Sequence, residues 1–323
     1  INLKEPDGVA IFKRMAATAD VIVENYRPDV KFRLGIDYET LRVDNPRLVY
    51  ASISGFGQDG PLAGRPGFDQ IAQGMGGLMS ITGAPGEGPM RVGIPIADLT
   101  AGGFAAQGVL LALLGREKTG EGQWVQTSLL QAQIAMLDFQ AARWLMDGDV
   151  PKQAGNDHPT SIPTGVFATE DGFINIACAG QHMWLRLKDE LADDRMDLED
   201  YADPPSRSRN RVALNALINE NTGRKSTEYW VGRFAEIGVP CGEINNIQQV
   251  FENPQVQHLG MARDVDSQER GPSQIVGQPI RMSRSSAEIR RPPPTKGQHT
   301  AEILAEYGFE EAEIEDFSAR GIT

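Results

Sequence analysis

The amino-acid sequence predicts an α/β fold with a parallel sheet and a second, smaller domain. Two short segments rich in β-branched residues, 19–25 and 48–55, are separated by a stretch of helical character. Strand, helix and strand at this spacing are typical of neighbouring parallel strands. A third strand is predicted at 124–128, and from about residue 155 short strands are followed by charged helices. This change in character indicates the second domain.

The helices of the predicted sheet domain follow from apolar spacing and turn signals. Residues 6–17 begin with Pro6 and place apolar side chains at helical intervals, which predicts an amphipathic helix. Further predicted helices cover residues 69–79, 98–114 and 129–146. Because ligands of such sheets bind at the carboxyl ends of the strands, we expect a site near segments 24–33 and 54–59.

The charge of the chain restricts its partners. Of 323 residues, 31 are Lys or Arg and 44 are Asp or Glu, which gives a formal net charge of −13. Nucleic acids and anionic lipids are bound mainly through basic surface, so we expect neither a nucleic-acid nor a membrane partner. We also expect no apolar run long enough to span a bilayer. A small anionic ligand is compatible with this charge, because it needs only a local basic patch.

The cysteines point to a cytoplasmic protein without a disulfide framework. Cys178 and Cys241 are far apart, and neither has a second Cys or a His at the spacing of metal ligands. No zinc motif or phosphate-binding loop occurs in the sequence. We therefore predict no metal site.

Asp98 is the carboxylate of greatest chemical interest. It lies where a helix is predicted to begin, and its simplest interpretation is an N-cap that accepts a backbone N–H. Its sequence neighbours are small or apolar and bring no charge partner. A carboxylate nucleophile needs no adjacent base, and a helix start lies close to main-chain donors that can stabilise an oxyanion. The residues thus leave two interpretations open, helix cap and covalent nucleophile.

Other motifs are weaker. Residues 74–77 resemble part of a dinucleotide-binding loop but lack its third glycine, and residues 52–55 lack the first glycine of a nucleophile elbow. All four histidines lie at residue 158 or beyond, so the sheet region has no imidazole base of its own. Three arginines flank the predicted strand-end cleft and are candidates to hold a phosphate or carboxylate: Arg33, Arg65 and Arg91.

Taken together, several segments resemble the family III CoA-transferases, a superfamily that also includes the alpha-methylacyl-CoA racemases. The resemblance runs the whole length of the chain, and the order of the segments makes it specific. It is carried by Ala19–Pro28, Arg33–Gly35, Ser54–Gly57, Ala97–Gly102, Thr119–Gln123, Gly155–Pro159, Gly238–Cys241, Asn253–Val256, Pro292–Pro294 and Gly297–Thr300.

The resemblance implies roles for individual residues. Asp98 matches the aspartate that the family acylates. Five residues fall at positions that contact CoA in formyl-CoA transferase: Lys4, Asn25, Tyr26, Arg33 and Leu34. Among them Arg33 is the best phosphate or adenine contact, since its guanidinium offers both charge and a stacking plane. Coenzyme A and its acyl thioesters would then be substrates, with no tightly bound cofactor.

The resemblance also implies an architecture. Each chain of an interlocked ring homodimer would have a Rossmann-like large domain built from both chain ends and an inserted α+β domain. The expected divisions are residues 1–130 for the large domain, 131–154 for a linker helix, 155–240 for the small domain, 241–290 for a return linker and 291–323 for the rest of the large domain. The family's opening strand, loop and helix have no counterpart before Ile1, so we expect the first part of the large domain to be absent from the chain.

Two departures from the family pattern bear on the reaction. The racemase branch has a histidine at the position of Phe68, and without it α-proton exchange loses one of its two acid–base groups. Formyl-CoA transferase has a tetraglycine loop where this chain has residues 158–163, which disfavours formate and oxalate as substrates.

We therefore predict an acyl-CoA:carboxylate CoA-transferase that works through aspartyl anhydride and aspartyl-CoA thioester intermediates. The alternatives are a 2-methylacyl-CoA racemase and a non-catalytic CoA-binding subunit. Arg65, Arg91 and His158 are the candidate residues for contact with the acyl group or acceptor.

Overall fold

The structure, a computed structural model, describes residues 1–267 and 270–323. Within these residues the chain divides into two compact units, Ile1–Gln153 with Pro293–Thr323, and Ala154–Pro292. The first unit contains a parallel sheet and the second contains antiparallel strands, and both carry helices. The mixed α/β class that the sequence predicts is confirmed.

The sheet of the first unit has the order β1-β2-β3, and its strands run parallel. The strands are β1 (Val21–Glu24), β2 (Val49–Ser54) and β3 (Trp124–Ser128). Glu24 is paired with Ser52, and Ser54 with Ser128, so the three strands end at one edge. The central strand β2 is almost entirely buried, as expected for a parallel sheet that is covered on both faces.

The helices of this part of the chain differ from the predicted ones at two places. They are α1 (Pro6–Ala16), α2 (Pro28–Leu34), α3 (Tyr38–Leu41), α4 (Asp69–Met75), α5 (Leu78–Ile81), α6 (Ile96–Thr119), α7 (Leu129–Ala135) and α8 (Phe139–Asp147). The helix predicted over 69–79 is interrupted by Gly76 and Gly77, and Gly77 has a positive φ of 86°. The helix predicted over 129–146 is interrupted before α8, where Asp138 has a φ of 48°, outside the right-handed helical region.

Helix α6 is the longest element near the predicted site. By length and composition alone it meets the criteria for a membrane-spanning helix, with 24 residues that include an 18-residue stretch of mean hydropathy 1.5. The expectation that no apolar run reaches this length is therefore wrong. Helix α6 packs against β2, β3, α4 and α7, and 22% of its apolar stretch is buried. It also carries Asp98 in its first turn and Arg116 and Lys118 in its last turn.

The second unit is built around an antiparallel sheet of order β4-β5-β6. Its elements are β4 (Thr164–Ala168), β5 (Phe173–Ala177), α9 (Gln181–Leu191), α10 (Pro204–Arg209), α11 (Arg211–Thr222), α12 (Thr227–Glu236), β6 (Cys241–Glu243), α13 (Ile247–Glu252) and α14 (Pro254–Leu259). The core includes Ile174 from β5, Trp184 and Leu187 from α9, and Ile218 and Phe234 from the next helices. A hydrophobic core therefore lies within this unit.

A hairpin lies within the segment that the sequence analysis assigns to a return linker, residues 241–290. Strands β7 (Ala262–Ser267) and β8 (Gly271–Val276) pair antiparallel within the segment expected as a return linker. Partly buried and exposed residues alternate along β8, which is the period of a strand with one covered face.

The C-terminal segment belongs to the first unit. Its helices are α15 (Thr300–Glu306) and α16 (Glu311–Ala319). Ile11 of α1 packs with Leu304 and Ile322 in one buried cluster. The Asn2 N–H donates to the Ile322 carbonyl at 2.7 Å, and the Arg14 guanidinium donates to the Gly308 carbonyl at 2.7 Å.

Candidate active site

A cleft of about 640 Å³ opens at the carboxyl edge of the parallel sheet. Asn25 and Tyr26, which follow β1, form one side, and Gly55, which follows β2, forms another. The remaining lining includes the segment before α4 and the starts of α6 and α7. This is the edge at which the strand pattern predicts a ligand site. Asp98 lies in its lining.

Asp98 is not the cap of its helix. It is the third residue of α6, whose N-cap is Pro95, and Pro95 makes no side-chain capping bond. Its side chain is exposed, and among the described residues no hydrogen bond or ion pair to its carboxylate is present. Partial desolvation, and then the negative charge of Asp69, hold the pKa of Asp98 above its ordinary value. Of the two sequence interpretations, helix cap is wrong.

The cap comes from Asp69, the first residue of α4. Asp69 is buried, and its Oδ1 accepts from the Ala97 N–H at 2.8 Å and from the Asp98 N–H at 3.4 Å. Its Oδ2 accepts from Gln73 Nε2 at 2.7 Å. Asp69 thus occupies the positive end of the helix dipole from outside the helix.

The first N–H groups of α6 all have partners. The Ile96 N–H donates to the Ile94 carbonyl at 2.8 Å, and the Leu99 N–H donates to the Pro95 carbonyl at 3.0 Å. The two groups between them donate to Asp69. The start of α6 is therefore not available to hold an oxyanion, contrary to the expectation from sequence.

Two glycines bring the two ends of the loop between β2 and α4 into contact at the cleft. A Cβ at Gly55 would lie 2.7 Å from Gly67 Cα, and a Cβ at Gly67 would lie 2.6 Å from Gly55 Cα. Both glycines line the cleft, and among the described backbone hydrogen bonds their N–H groups have no acceptor. These N–H groups are available to a ligand oxygen. Phe68, next in the chain, is 75% exposed at the same cleft.

Comparison with known proteins identifies the family. A family model described as CoA-transferase family III matches residues 1–300. The chain belongs to this family. The resemblance predicted from its segments is thereby confirmed, and the transferase is an enzyme.

Relatives and a solved structure agree with this assignment. The transferase is 38% identical to succinate–glutarate CoA-transferase of Agrobacterium fabrum, over 94% of this chain and 76% of the relative. It is 35% identical to succinyl-CoA:glutarate CoA-transferase of Homo sapiens, over 95% of this chain and 70% of the relative. A CAIB/BAIF family protein from Brucella suis superposes with a TM-score of 0.82 at 35% identity, covering 95% of this chain and 80% of the other.

The residues predicted to contact CoA lie at three places in the transferase. Asn25 and Tyr26 line the cleft. Arg33 and Leu34 lie at the end of α2, where the exposed Arg33 guanidinium is 3.8 Å from Asp29. Lys4 is exposed just before α1.

Of the residues predicted to contact the acyl group or acceptor, two belong to the first unit and one to the second. Arg65 lines the cleft with Asp98, and its guanidinium lies 5.9 Å from the centre of the Phe56 ring. Arg91 is exposed and lies outside the cleft lining. His158 belongs to the second unit, where its Nδ1 accepts from the N–H groups of Thr160 and Ser161.

A buried ion pair lies next to the side of the cleft that follows β1. Sequence reasoning did not predict it. Lys31 of α2 is fully buried, and its Nζ lies 3.2 Å from Glu24 Oε1 and donates to Gln58 Oε1. Glu24 Oε2 in turn accepts from the Tyr26 N–H at 2.7 Å. The pair thus joins the loops that follow β1 and β2. The only signal in the sequence was the position of Glu24 at a strand end.

Proposed function

We propose that the chain is an acyl-CoA:carboxylate CoA-transferase whose covalent nucleophile is Asp98. The observation that carries the proposal is the Asp98 carboxylate, which has no partner among the described residues and lies in a cleft at the carboxyl edge of the sheet. Family membership supports general CoA transfer. The reaction needs a nucleophile that can be acylated and deacylated without a proton, and a carboxylate satisfies this.

In the first step an Asp98 carboxylate oxygen attacks the carbonyl carbon of the donor thioester. A new C–O bond forms and the C–S bond breaks, which gives a mixed anhydride and CoA thiolate. The thiolate then attacks the Asp98 carbonyl carbon of the anhydride. A C–S bond forms there, and the bond to the donor acid breaks, so that the acid leaves as a carboxylate and Asp98 carries CoA as a thioester.

The acceptor carboxylate reverses these steps and leaves as a CoA thioester. No proton is gained or lost in the cycle, so the absence of histidines from residues 1–157 is compatible with the reaction. The N–H groups of Gly55 and Gly67 are the donors in the cleft that we assign to the developing oxyanion. Exclusion of water from the anhydride conserves the thioester energy.

CoA acts here as a substrate, and we propose that it is held along the side of the cleft formed after β1. Asn25 and Tyr26 line that side. Arg33, on the helix that follows, offers a guanidinium to a phosphate or the adenine ring. Lys4 and Leu34 are the remaining proposed contacts.

We propose a dicarboxylic acid as the acyl group. Arg65 shares the cleft with Asp98 and places a cation near the reacting carbonyl, where it is able to bind a distal carboxylate. The names of two relatives include succinate or succinyl-CoA together with glutarate, which supports this class. Arg65→Ala should raise the KM for succinyl-CoA by about 10- to 100-fold, from a lost charged hydrogen bond of about 1.5–3 kcal/mol, and leave acetyl-CoA unaffected. Arg91→Ala is the matched control, and equal effects of the two variants would exclude Arg65 as the specificity residue.

The covalent step is tested by the intact mass of the protein after incubation with succinyl-CoA. We expect an adduct that hydroxylamine removes, present in the wild-type chain and in Asp59→Asn but absent from Asp98→Asn. Asp59 is an exposed aspartate in the loop after β2, outside the cleft lining, and controls for reaction with surface carboxylates. An adduct of equal yield in Asp98→Asn would rule out this nucleophile.

Racemisation is the competing reaction for this family. It needs a second acid–base group, and the cleft presents the side chain of Phe68 at the position where the racemase branch has histidine. We expect no deuterium to enter the α-carbon of a 2-methylacyl-CoA from heavy water. Wash-in at a rate similar to CoA transfer would favour the racemase.

We further propose a cytoplasmic homodimer with interlocked chains. Exposed apolar side chains on α6 and α8 support an association of chains, because soluble monomers rarely expose large apolar patches. They include Leu110, Leu111, Leu114, Leu145 and Met146. Sedimentation velocity should give twice the mass of one chain, and a single-chain mass at micromolar concentration would contradict the dimer.

A further inference from the structure

We infer that Asp69 is a positioning residue for the nucleophile Asp98, and that Gln73 holds Asp69 in place. The inference rests on the proposed function of Asp98. Asp69 has two effects in this inference. It fixes the start of α6, and its negative charge repels the negative charge of the Asp98 carboxylate.

The first effect follows from the capping geometry. Helix α6 has no cap of its own, because Pro95 at the N-cap has no side-chain acceptor. Asp69 Oδ1 supplies the missing acceptor and binds the N–H of Ala97 at 2.8 Å and that of Asp98 at 3.4 Å. The backbone of the nucleophile is therefore held by a side chain from α4, 29 positions earlier in the sequence.

Gln73 extends this contact to the segment that leads into α6. It is fully buried, one helical turn after Asp69, and its Nε2 donates to Asp69 Oδ2 at 2.7 Å and to the Ile94 carbonyl at 3.3 Å. Its Oε1 accepts from the Val92 N–H at 2.9 Å. Every polar atom of the Gln73 side chain thus binds either Asp69 or residues 92–94, which fixes the approach of the chain to Asp98.

The second effect follows from the charges that face Asp98. Asp69 faces it from α4, and Arg27 and Arg65 share the same cleft. Strands β2 and β3 and helix α7, which also pack against α6, contain no Asp, Glu, Lys, Arg or His, and Tyr50 is their one titratable residue. Asp69 is therefore the acidic neighbour that opposes ionisation of Asp98.

The repulsion between Asp69 and Asp98 decreases as Asp98 is acylated. Acylation converts the Asp98 carboxylate into a neutral anhydride, and the negative charge moves to the acyl oxygen and then to the thiolate sulfur. Charge thus leaves the neighbourhood of Asp69 as the C–O bond forms. Desolvation and the charge of Asp69 raise the pKa of Asp98, and a more basic carboxylate is a stronger nucleophile.

The test measures the rate of Asp98 acylation by succinyl-CoA in a single turnover across pH, by intact mass. Asp69→Asn keeps an oxygen acceptor for the Ala97 N–H and removes the charge. We expect the acid midpoint of its rate profile to move to lower pH and the plateau rate to fall several-fold. Asp69→Ala also removes the acceptor and should slow acylation on the order of 100-fold, the cost of a misplaced reacting group, with unchanged CoA affinity.

Asp37→Asn is the matched control. Asp37 is another buried aspartate of the first unit, and its Oδ1 caps α3 by accepting from the Thr40 N–H at 3.1 Å. It lies outside the cleft lining, so its loss should reduce stability but leave the pH midpoint of acylation unchanged. A midpoint in Asp69→Asn equal to that of wild type and Asp37→Asn overturns the inference.

The outcome also separates this inference from the proposed function. Failure of wild-type protein to form the adduct, or adduct formation by Asp98→Asn, refutes Asp98 as nucleophile. A normal adduct with no effect of Asp69 refutes only the positioning role. If Asp69→Asn does not fold, Gln73→Met removes the donor to Asp69 and releases residues 92–94. It should slow acylation without changing CoA affinity, and a wild-type rate in Gln73→Met would then overturn the inference.

Discussion

Replacement of Lys31 by Met should destabilise the first unit, although Met fits the same space. The change removes the ammonium that lies 3.2 Å from Glu24 Oε1, in a place where Lys31 is fully buried and Glu24 is nearly so. Glu24 then remains as a buried carboxylate without its counter-ion. Gln58 also loses the donor to its Oε1.

The size of the effect follows from the geometry. At an effective dielectric constant of about 20, two unit charges separated by 3.2 Å attract by about 5 kcal/mol. Measured costs of removing one member of a buried pair are about 3–5 kcal/mol. For a unit of this size we expect the melting temperature to fall on the order of 10 °C. The double variant Glu24→Gln/Lys31→Met keeps an acceptor for the Tyr26 N–H and removes both charges, so most of the loss should be recovered.

The assay is urea unfolding, which gives the free energy of unfolding of Lys31→Met and of the double variant. Arg33→Met on the same helix is the control, because its exposed contact with Asp29 at 3.8 Å should contribute less than about 1 kcal/mol. A Lys31→Met variant that is no less stable than the double variant would refute the coupling. Since the pair holds the backbone of Tyr26 at the cleft, Lys31→Met should also raise the KM for acyl-CoA more than it lowers kcat.

Two further changes test the cleft. Gly55→Ala should reduce the acylation rate, because its Cβ would lie 2.7 Å from Gly67 Cα and must push the two ends of the β2–α4 loop apart. Gly64→Ala has no atom within 4 Å of its Cβ and should leave the rate unchanged, so equal rates for the two variants would contradict this. Asp98→Asn should raise stability at neutral pH by less than about 1 kcal/mol, since the exposed carboxylate has a raised pKa in the folded chain and its ionisation opposes folding. The gain in stability should vanish as the pH falls below 3.8, the pKa of Asp98 in the unfolded chain. Urea unfolding at neutral and acid pH provides the measurement, and a gain that persists in acid would contradict this explanation.

The sheet was predictable because its signals are local. Runs of β-branched residues mark β1 and β2, and their spacing predicts parallel pairing and a site at the carboxyl edge. The interruption before α8 was not predictable, because Asp138 adopts a positive φ that apolar periodicity does not report. The hairpin of β7 and β8 was missed because β7 is polar and has a single buried residue, so its sequence lacks the apolar alternation of a half-buried strand.

The candidate nucleophile was predictable, but its surroundings were not. Asp98 could be found from its place at a helix start, and the family resemblance favours it. Nothing near it in the sequence reveals that its cap is Asp69, because the contact spans 28 positions to the Ala97 N–H. The same holds for the bond from Lys31 to Gln58, which spans 27 positions. Such pairs are created by the fold, so local patterns identify the reacting group without the residues that position it.

The different roles assigned to Asp69 and Asp98 follow from their partners and not from their residue type. Asp69 is buried, and both of its oxygens accept hydrogen bonds, which stabilises its charge and uses its lone pairs. Asp98 is exposed to the cleft with no donor among the described residues, so its lone pairs remain available for bond formation. If Asp98 had capped α6 itself, the N–H groups that stabilise it would have lowered both its basicity and its nucleophilicity. Capping by a second carboxylate satisfies the helix and leaves the first one reactive. An acid at the start of a helix is therefore a better candidate nucleophile when another residue provides the cap.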